Sequence, residues 1–251
     1  MKEDSIERKI IKRTDMEMEP RDGQLFDEWV VVLREEGSEN PRVEYDVLSV
    51  FWFNHDRYLI GDIDAERTFQ RELGITSTDT VEVIERHLKK KGAEWTRVYF
   101  YDHGELKISS HPFTCPLDSG MLGFAAIFAP DIRDIYNCKR ITQKTRRFAR
   151  NVLDGELTQY NQWMTGDVWG YKHYKRDMDG DPIEMDSCWG FYGNDVTDNG
   201  MAEYLPEDVP LFTEEGELWS YTSEKWKSED WKRAKKANVI RKRYDGTGAN
   251  A

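Results

Sequence analysis

The chain has 251 residues, of which 48 are acidic and 36 are basic, so its net charge is −12, and 13% of its residues are aromatic. A chain of this length and aromatic content can bury a core, which excludes a disordered protein, and its three cysteines at unrelated spacings exclude a disulfide framework. It contains no apolar run of membrane-spanning length, and its N-terminus, MKEDSIERKI, lacks the apolar stretch of a signal peptide, so we expect a soluble cytoplasmic protein.

The first part of the chain predicts an arm, two strands and a helix. Residues 1–24 are polar and charged without an apolar period, which is typical of an N-terminal arm. Two β-branched and aromatic runs follow at residues 26–36 and 43–62, and the breaker sequence GSENPR between them favours a β-hairpin. Residues 76–92 predict a helix, because Ser and Thr precede apolar residues at helical spacing and lysines precede a closing glycine.

The second part of the chain predicts four strands and a long helix. Residues 95–102 form one strand, and the fully apolar residues 120–129 form another that must be buried on both faces. Residues 142–166 have a helical apolar period between a threonine cap and a glycine stop. Residues 167–176 and 183–193, joined by the turn sequence DMDGDP, favour a second hairpin. The pattern predicts an α+β fold with an antiparallel-rich sheet and two principal helices.

The C-terminal part of the chain differs from the rest in charge. Residues 223–243 contain nine Lys or Arg and three Asp or Glu, so the acidic excess lies entirely in the remainder of the chain. We therefore predict three parts: the arm, a single α+β domain over 25–221, and a basic helical tail over 222–251. An acidic body repels phosphate groups, so nucleic-acid binding by the body is disfavoured.

The stretch YDHGELKISSHPFTCPLDSGMLGF, residues 101–124, gathers residues that catalysis uses. One hypothesis is a Cys/His hydrolase with Cys115 as nucleophile, His103 as base and Asp118 as the residue that orients the base. The alternative is a rigid corner in which Asp and Ser side chains bind nearby backbone groups and the glycines permit sharp turns. We prefer the corner, which also suits a recognition surface.

Metal and cofactor sites are not predicted. His103, His111 and Cys115, with Asp102 or Asp118, supply atoms that zinc accepts, but their spacing lacks the paired short loops of a structural zinc site. No strand is followed by a glycine-rich turn and a helix, the arrangement that binds dinucleotides and phosphates. We therefore predict no metal and no cofactor.

Five sequence runs together resemble a family of uncharacterised proteins encoded by bacteriophages and other mobile elements. The runs are VLSVFWFNHDRYLIGD, YDHGELKISSHPFTCPLDSG, the long helical segment that ends in TGDVWGY, DSCWGFYG and YLPEDV, and the likeness covers residues 46–210. It departs at Leu117, where the family leads us to expect Trp, and at His111, where we expect a small polar residue. The positions that match its motifs are Asp102, His103, Cys115, Pro116, Asp118, Ser119, Gly120, Asp186, Ser187, Cys188, Trp189 and Gly190.

This resemblance implies a phage-derived accessory protein of the host cytoplasm. We expect it to act as an inhibitor that binds and blocks a host protein or complex, such as a defence component. Exposed aromatic residues make good binding anchors, so we predict a binding site at Trp189, Phe191, Tyr192 and Asp186. Two alternatives remain at this point, the Cys/His hydrolase and an acidic mimic of nucleic acid.

Overall fold

A computed structural model of the chain describes residues 26–76, 78–206 and 209–213, and the predicted arm and basic tail lie outside these residues. In chain order its elements are β1 (Glu28–Arg34), α1 (Pro41–Glu44), β2 (Val50–Phe53), α2 (Ala65–Leu73), α3 (Val81–Lys91), β3 (Glu94–Asp102), β4 (Leu106–Ser109), β5 (Ser119–Ile127), α4 (Ala129–Ile135), α5 (Gln143–Met164), β6 (Val168–Arg176), β7 (Pro182–Tyr192) and β8 (Leu211–Thr213).

The chain forms two compact units, and the region predicted as a single domain contributes to both. The flanking unit contains the described residues up to Ser38 and those from Gly166 onward, and the inserted unit is Glu39–Thr165. The α+β class is confirmed, with two mostly antiparallel sheets in place of the one expected. Among the described residues, no helix has the length and apolar composition that crossing a membrane requires.

The flanking unit is built on a four-stranded sheet in the order β7-β6-β1-β8. Strand β1 pairs antiparallel with β6 and parallel with β8. Its run of valines is buried on both faces, because Val30 and Val32 contact one apolar cluster and Trp29 and Val31 contact another. The predicted hairpin of β6 and β7 is confirmed by their antiparallel pairing.

The inserted unit is built on an antiparallel sheet in the order β2-β5-β3-β4. Helices α2 and α3 pack on one face with Phe124 and Ala126, and α5 packs on the other face with Ala125 and Ile127. Strand β5 is therefore covered on both faces, as its apolar sequence predicts. Helices α3 and α5 are confirmed, and the N–H of Thr145 donates to the Thr142 hydroxyl, which caps α5 as expected.

The predicted hairpin between residues 26–36 and 43–62 is wrong. Strand β1 lies in the sheet of the flanking unit, and β2 pairs with β5 in the sheet of the inserted unit. The GSENPR segment is a link between units that contains the start of α1. Breaker residues mark where a strand ends, but they do not specify the strand with which it pairs.

A buried arginine fixes the start of β2 to helix α5. The guanidinium of Arg42 is 3% exposed, pairs with both oxygens of Asp62 and lies 3.3 Å from the Glu156 carboxylate. Its carbon Cζ lies 3.6 Å from the ring centre of Phe51. Glu156 also accepts the N–H of Ser49 at 3.0 Å, so α5 holds the strand through side-chain and backbone contacts.

Candidate functional site

Two cavities meet in the inserted unit at the point where β2 ends. The polar cavity, of about 390 Å³, is enclosed by the loop after β2, the end of β3 and the start of β5. The helix-side cavity, of about 520 Å³, lies between the sheet and helices α2 and α3. Asn54 and Met121 line both cavities, which are therefore contiguous. Concave surfaces with polar groups from several segments are typical of binding sites.

The sequence Cys115–Ser119 forms a hydrogen-bonded corner beside the polar cavity. The Ser119 hydroxyl donates to the carbonyl of Cys115, and the N–H of Asp102 donates to the carbonyl of Asp118 at 2.8 Å. Pro116 restricts the backbone between these bonds. The Leu117 side chain projects from the corner and is 92% exposed, although it lines the cavity. The corner is thus rigid and presents an apolar side chain to solvent.

The three residues of the hydrolase hypothesis meet at one oxygen atom. Oδ2 of Asp118 lies 3.3 Å from the Cys115 sulfur and 3.3 Å from Nδ1 of His103. The aspartate therefore stands between the thiol and the imidazole. In the described part of the chain, no histidine nitrogen forms a hydrogen bond with this sulfur. This order therefore places a carboxylate, and no imidazole nitrogen, in position to take the thiol proton.

An ion pair spans the mouth of the polar cavity. Nη2 of Arg57 lies 2.7 Å from Oδ2 of Asp102, with the arginine 70% exposed and the aspartate 11% exposed. The N–H of Arg57 donates to Nδ1 of His55 at 3.1 Å, which leaves the proton of the neutral ring on Nε2. The His55 and Phe100 rings pack edge to face, with their centres 4.8 Å apart. Phe100 lies over Gly120, where a Cβ would sit 3.0 Å from its ring.

Sequence reasoning missed His55 and Arg57 as site residues. Both lie in the NHDR segment at positions 54–57, within a run that carries the family resemblance. A cluster of Asn, His, Asp and Arg directly after a buried aromatic strand is the signal that was available. Asp102 and Asp118, from the other matching run, complete the wall of the same cavity.

Strand β7 separates the residues predicted to form a binding site. Trp189 is 41% exposed, and its ring lies over Gly170, where a Cβ would sit 2.1 Å from Cε3. Asp186 is exposed and accepts the Tyr171 hydroxyl at 2.8 Å. Asp186 pairs with His173, whose side chain shares a face with Tyr171, so Trp189 and Asp186 lie on opposite faces of the sheet. Burial and the Asp186 carboxylate raise the pKa of Tyr171.

The remaining two predicted binding residues lie at the end of β7. Phe191 is only 8% exposed and packs in the core with Tyr171, so it does not form part of a surface ring. Tyr192 is partly buried and pairs with Val168. Of the three aromatic residues predicted to form a surface ring, the structure places Phe191 in the core and leaves Trp189 exposed, and the register shift between Trp169 and Tyr171 lies beside them.

Across residues 26–76, 78–206 and 209–213, no group of three or more His, Cys, Asp or Glu side chains is placed to hold a metal ion. Cys115, Cys138 and Cys188 are free and partly exposed.

The chain was compared with protein-family models, with curated proteins and with solved structures. None of the three comparisons finds a match.

Proposed function

We propose that this protein acts by stoichiometric binding to a macromolecular partner, with the polar cavity and Leu117 as the contact surface. The observation that carries the proposal is the exposure of Leu117 on a hydrogen-bonded corner. A large apolar side chain held rigidly in water loses little conformational entropy when a partner covers it. Apolar anchors that insert into a partner supply most of the affinity of protein interfaces.

The resemblance to phage and mobile-element proteins supports a partner in a bacterial host. The family leads us to expect Trp at the position of Leu117, which is also a large apolar residue. A protein of this origin benefits from blocking a host component, so we propose a host protein or complex, such as a defence component, as the partner. The proposed site of action is the host cytoplasm.

Affinity capture with a surface variant tests this function. Tagged full-length protein is incubated with bacterial host lysate, and the recovered proteins are identified for wild type, Leu117→Asp and Met178→Asp. Met178 is equally exposed but lies in the turn between β6 and β7. We expect Leu117→Asp to reduce partner recovery about tenfold, and Met178→Asp to have no effect. Equal recovery with both variants would refute the proposed surface.

The Cys/His hydrolase is a second candidate because its three residues converge on Asp118. Catalysis would require the His103 ring to reach the sulfur, which the aspartate now separates from it. Hydrolysis of p-nitrophenyl acetate tests the candidate directly. Turnover that disappears in both Cys115→Ser and His103→Ala would support it, and turnover no faster than in buffer would discard it.

A further inference from the structure

Strand β2 is shorter than the strand beside which it lies. It pairs with β5 only at Gly123–Ala126, whereas β3 pairs with β5 from Ser119 to Ile127. The last bond on the β2 side is the N–H of Asn54 to the carbonyl of Leu122 at 2.9 Å. Within the described residues, no strand pairs with the Ser119–Met121 end of β5 on that side. We call this end the open edge.

The backbone groups of the open edge point outward. The N–H of Asp102 donates to the carbonyl of Asp118, so the polar groups of Asp118 face β3. Successive residues in an antiparallel strand direct their N–H and C=O groups to alternate sides. Ser119 and Met121 therefore direct these groups away from β3, toward the vacant position. An extended peptide is the ligand whose backbone can satisfy them.

The two cavities lie on opposite sides of the open edge. Trp52, Phe124 and Ile84 line the helix-side cavity and belong to the cluster under α2 and α3. Phe100, which lines the polar cavity, packs with the cluster under α5, on the other face of the sheet. Side chains of an added strand alternate between faces, so one set would enter each cavity. This alternation gives the site its specificity.

The charges around the open edge select the composition of the peptide. The only guanidinium in the two linings is that of Arg57, which is paired with Asp102. A basic peptide is therefore complementary, and an acidic peptide is repelled. The five carboxylates in the linings belong to Glu66 and Asp79 on the helix side and to Asp56, Asp102 and Asp118 in the polar cavity.

We propose that an extended basic segment of the partner adds as a strand to the open edge of β5. A large apolar side chain of the segment occupies the helix-side cavity, and Lys or Arg side chains on the alternate positions occupy the polar cavity. This inference rests on the proposed binding function and names the chemistry of the partner. Backbone bonds to Ser119 and Met121 provide affinity, and the two cavities provide selection.

Selection from a random dodecapeptide library on the full-length protein tests the proposal. We expect the enriched peptides to combine Lys or Arg with one aromatic or large aliphatic residue. Their affinities are measured by fluorescence anisotropy with wild type, Asn54→Trp and the matched control Asn54→Ala. Asn54 is exposed where the cavities meet, so Trp would fill the junction. Asn54→Trp should lower the affinity about tenfold or more, Asn54→Ala should lower it less than Asn54→Trp does, and all melting curves should be alike.

Peptide backbone chemistry separates strand addition from other modes of binding. Methylation of alternate peptide nitrogens should abolish binding in one register and leave it unchanged in the other, since only every second N–H faces β5. Methylation that is harmless at every position, affinities that ignore Asn54→Trp, or a library that yields no binder would each overturn strand addition. Partner capture that depends on Leu117 would still stand in these cases.

A synthetic peptide of residues 223–243 is tested beside the selected peptides, since that sequence is basic and contains two tryptophans. We expect it to bind more weakly than the selected peptides. If it competes for the open edge and binds more tightly than all of them, the chain's own tail is the occupant. The assignment to a partner would then be overturned.

Discussion

Asp118 joins the corner to its neighbours through both its side chain and its backbone. Its carboxylate contacts Cys115 and His103, and its carbonyl accepts the N–H of Asp102. Asp118 accepts this bond through its backbone carbonyl, which every substitution retains, so a variant at this position tests the side chain. The corner carries Leu117, and its rigidity is therefore a part of the proposed binding function.

Asp118→Ala should lower the free energy of unfolding by about 1 kcal/mol, the typical contribution of a hydrogen bond at a partly exposed site. Urea titration of wild type and variant measures the difference. Asp56→Ala is the control, because Asp56 is exposed beside the same cavity and should leave stability unchanged. Unchanged stability in Asp118→Ala, together with lost partner capture, would instead make Asp118 a contact residue.

The ring of Trp189 lies so close to Gly170 that no side chain fits at this position. A Cβ at this position would lie 2.1 Å from Cε3 of Trp189 and 2.8 Å from the carbonyl oxygen of Cys188. Gly170→Ala should destabilise the protein by about 1 to 3 kcal/mol, the usual cost of overpacking. Thermal unfolding in the wild-type and Trp189→Ala backgrounds checks the cause. The cost should be smaller without the indole, and an equal cost would assign the strain to the backbone.

Asp131 predicts a dependence of stability on pH. Burial first, and then the nearby Glu72 and Asp134 carboxylates, raise the pKa of Asp131. The folded protein therefore binds this proton more tightly than the unfolded chain does, and stability falls as the pH rises through the raised pKa. Asp131→Asn should raise the melting temperature near neutral pH, and about pH 3 the gain should vanish because wild type is also protonated.

The control for this variant is Asp56→Asn, at an exposed carboxyl for which no gain is expected. A melting temperature of Asp131→Asn that is equal to or below that of wild type at neutral pH would show that the carboxylate is stabilising. Its position in the first turn of α4 would then be the reason, since helix N-termini favour negative charge.

Among the elements of the inserted unit, the buried Arg42 connects three segments of the chain. Arg42 lies in α1, its partner Asp62 follows β2, and Glu156 belongs to α5. Arg42→Met should cost about 3 to 5 kcal/mol, because two carboxylates would remain without their buried cation. Arg57→Met is the comparison, because the Arg57 side chain is 70% exposed and pairs with a single carboxylate, so we expect a smaller loss than for Arg42→Met. Equal effects in urea unfolding would contradict this ranking.

Elements whose signals are local were predictable from the sequence. Helices α3 and α5 have caps and apolar periods of their own, and β6 and β7 are joined by a strong turn sequence. Strand β5 was recognisable because continuous apolar residues require cover on both faces. The partner of β2 was not predictable, because β5 lies far along the chain and no local residue specifies that pairing.

In the candidate site, too, only the contacts between residues close in sequence were predictable. His103, Cys115 and Asp118 lie within one short stretch of chain, and the β3–β4 hairpin together with the corner before β5 brings them close. Arg57 reaches Asp102 from the loop after β2, which is distant in sequence, so it required the tertiary structure. The burial of Phe191 depends on register shifts in β7, and such shifts have no reliable sequence signal.

At the scale of the whole molecule, salt separates the proposed binding from nucleic-acid mimicry. An acidic mimic binds almost entirely through Coulomb attraction, which salt screens. In the proposed complex salt screens only the contacts of the basic segment with the carboxylates, whereas burial of Leu117 and backbone bonding at β5 are not screened. Raising the salt from about 0.05 to about 0.5 M should weaken partner binding only modestly. Isothermal titration at both concentrations measures this. Loss of nearly all affinity, with Leu117→Asp harmless, would favour the mimic.

The chain leaves the flanking unit and returns to it at neighbouring points. The N–H of Glu35 donates to the carbonyl of Val168 at 2.8 Å, directly after the paired Arg34 and Trp169. The inserted unit, Glu39–Thr165, thus occupies the place of a turn in a β1–β6 hairpin. During synthesis, β1 leaves the ribosome long before β6 exists.

Closing so long a loop in a disordered chain costs on the order of 3 kcal/mol more than closing a short turn. If the inserted unit folds first, the pair of Arg42 and Glu156 already joins its first helix to its last helix, which removes part of this cost. The order of assembly on the ribosome is therefore built into the topology. We expect the inserted unit, which carries the corner and the open edge, to fold while β1 is still unpaired. The other strands of the flanking sheet then pair with β1.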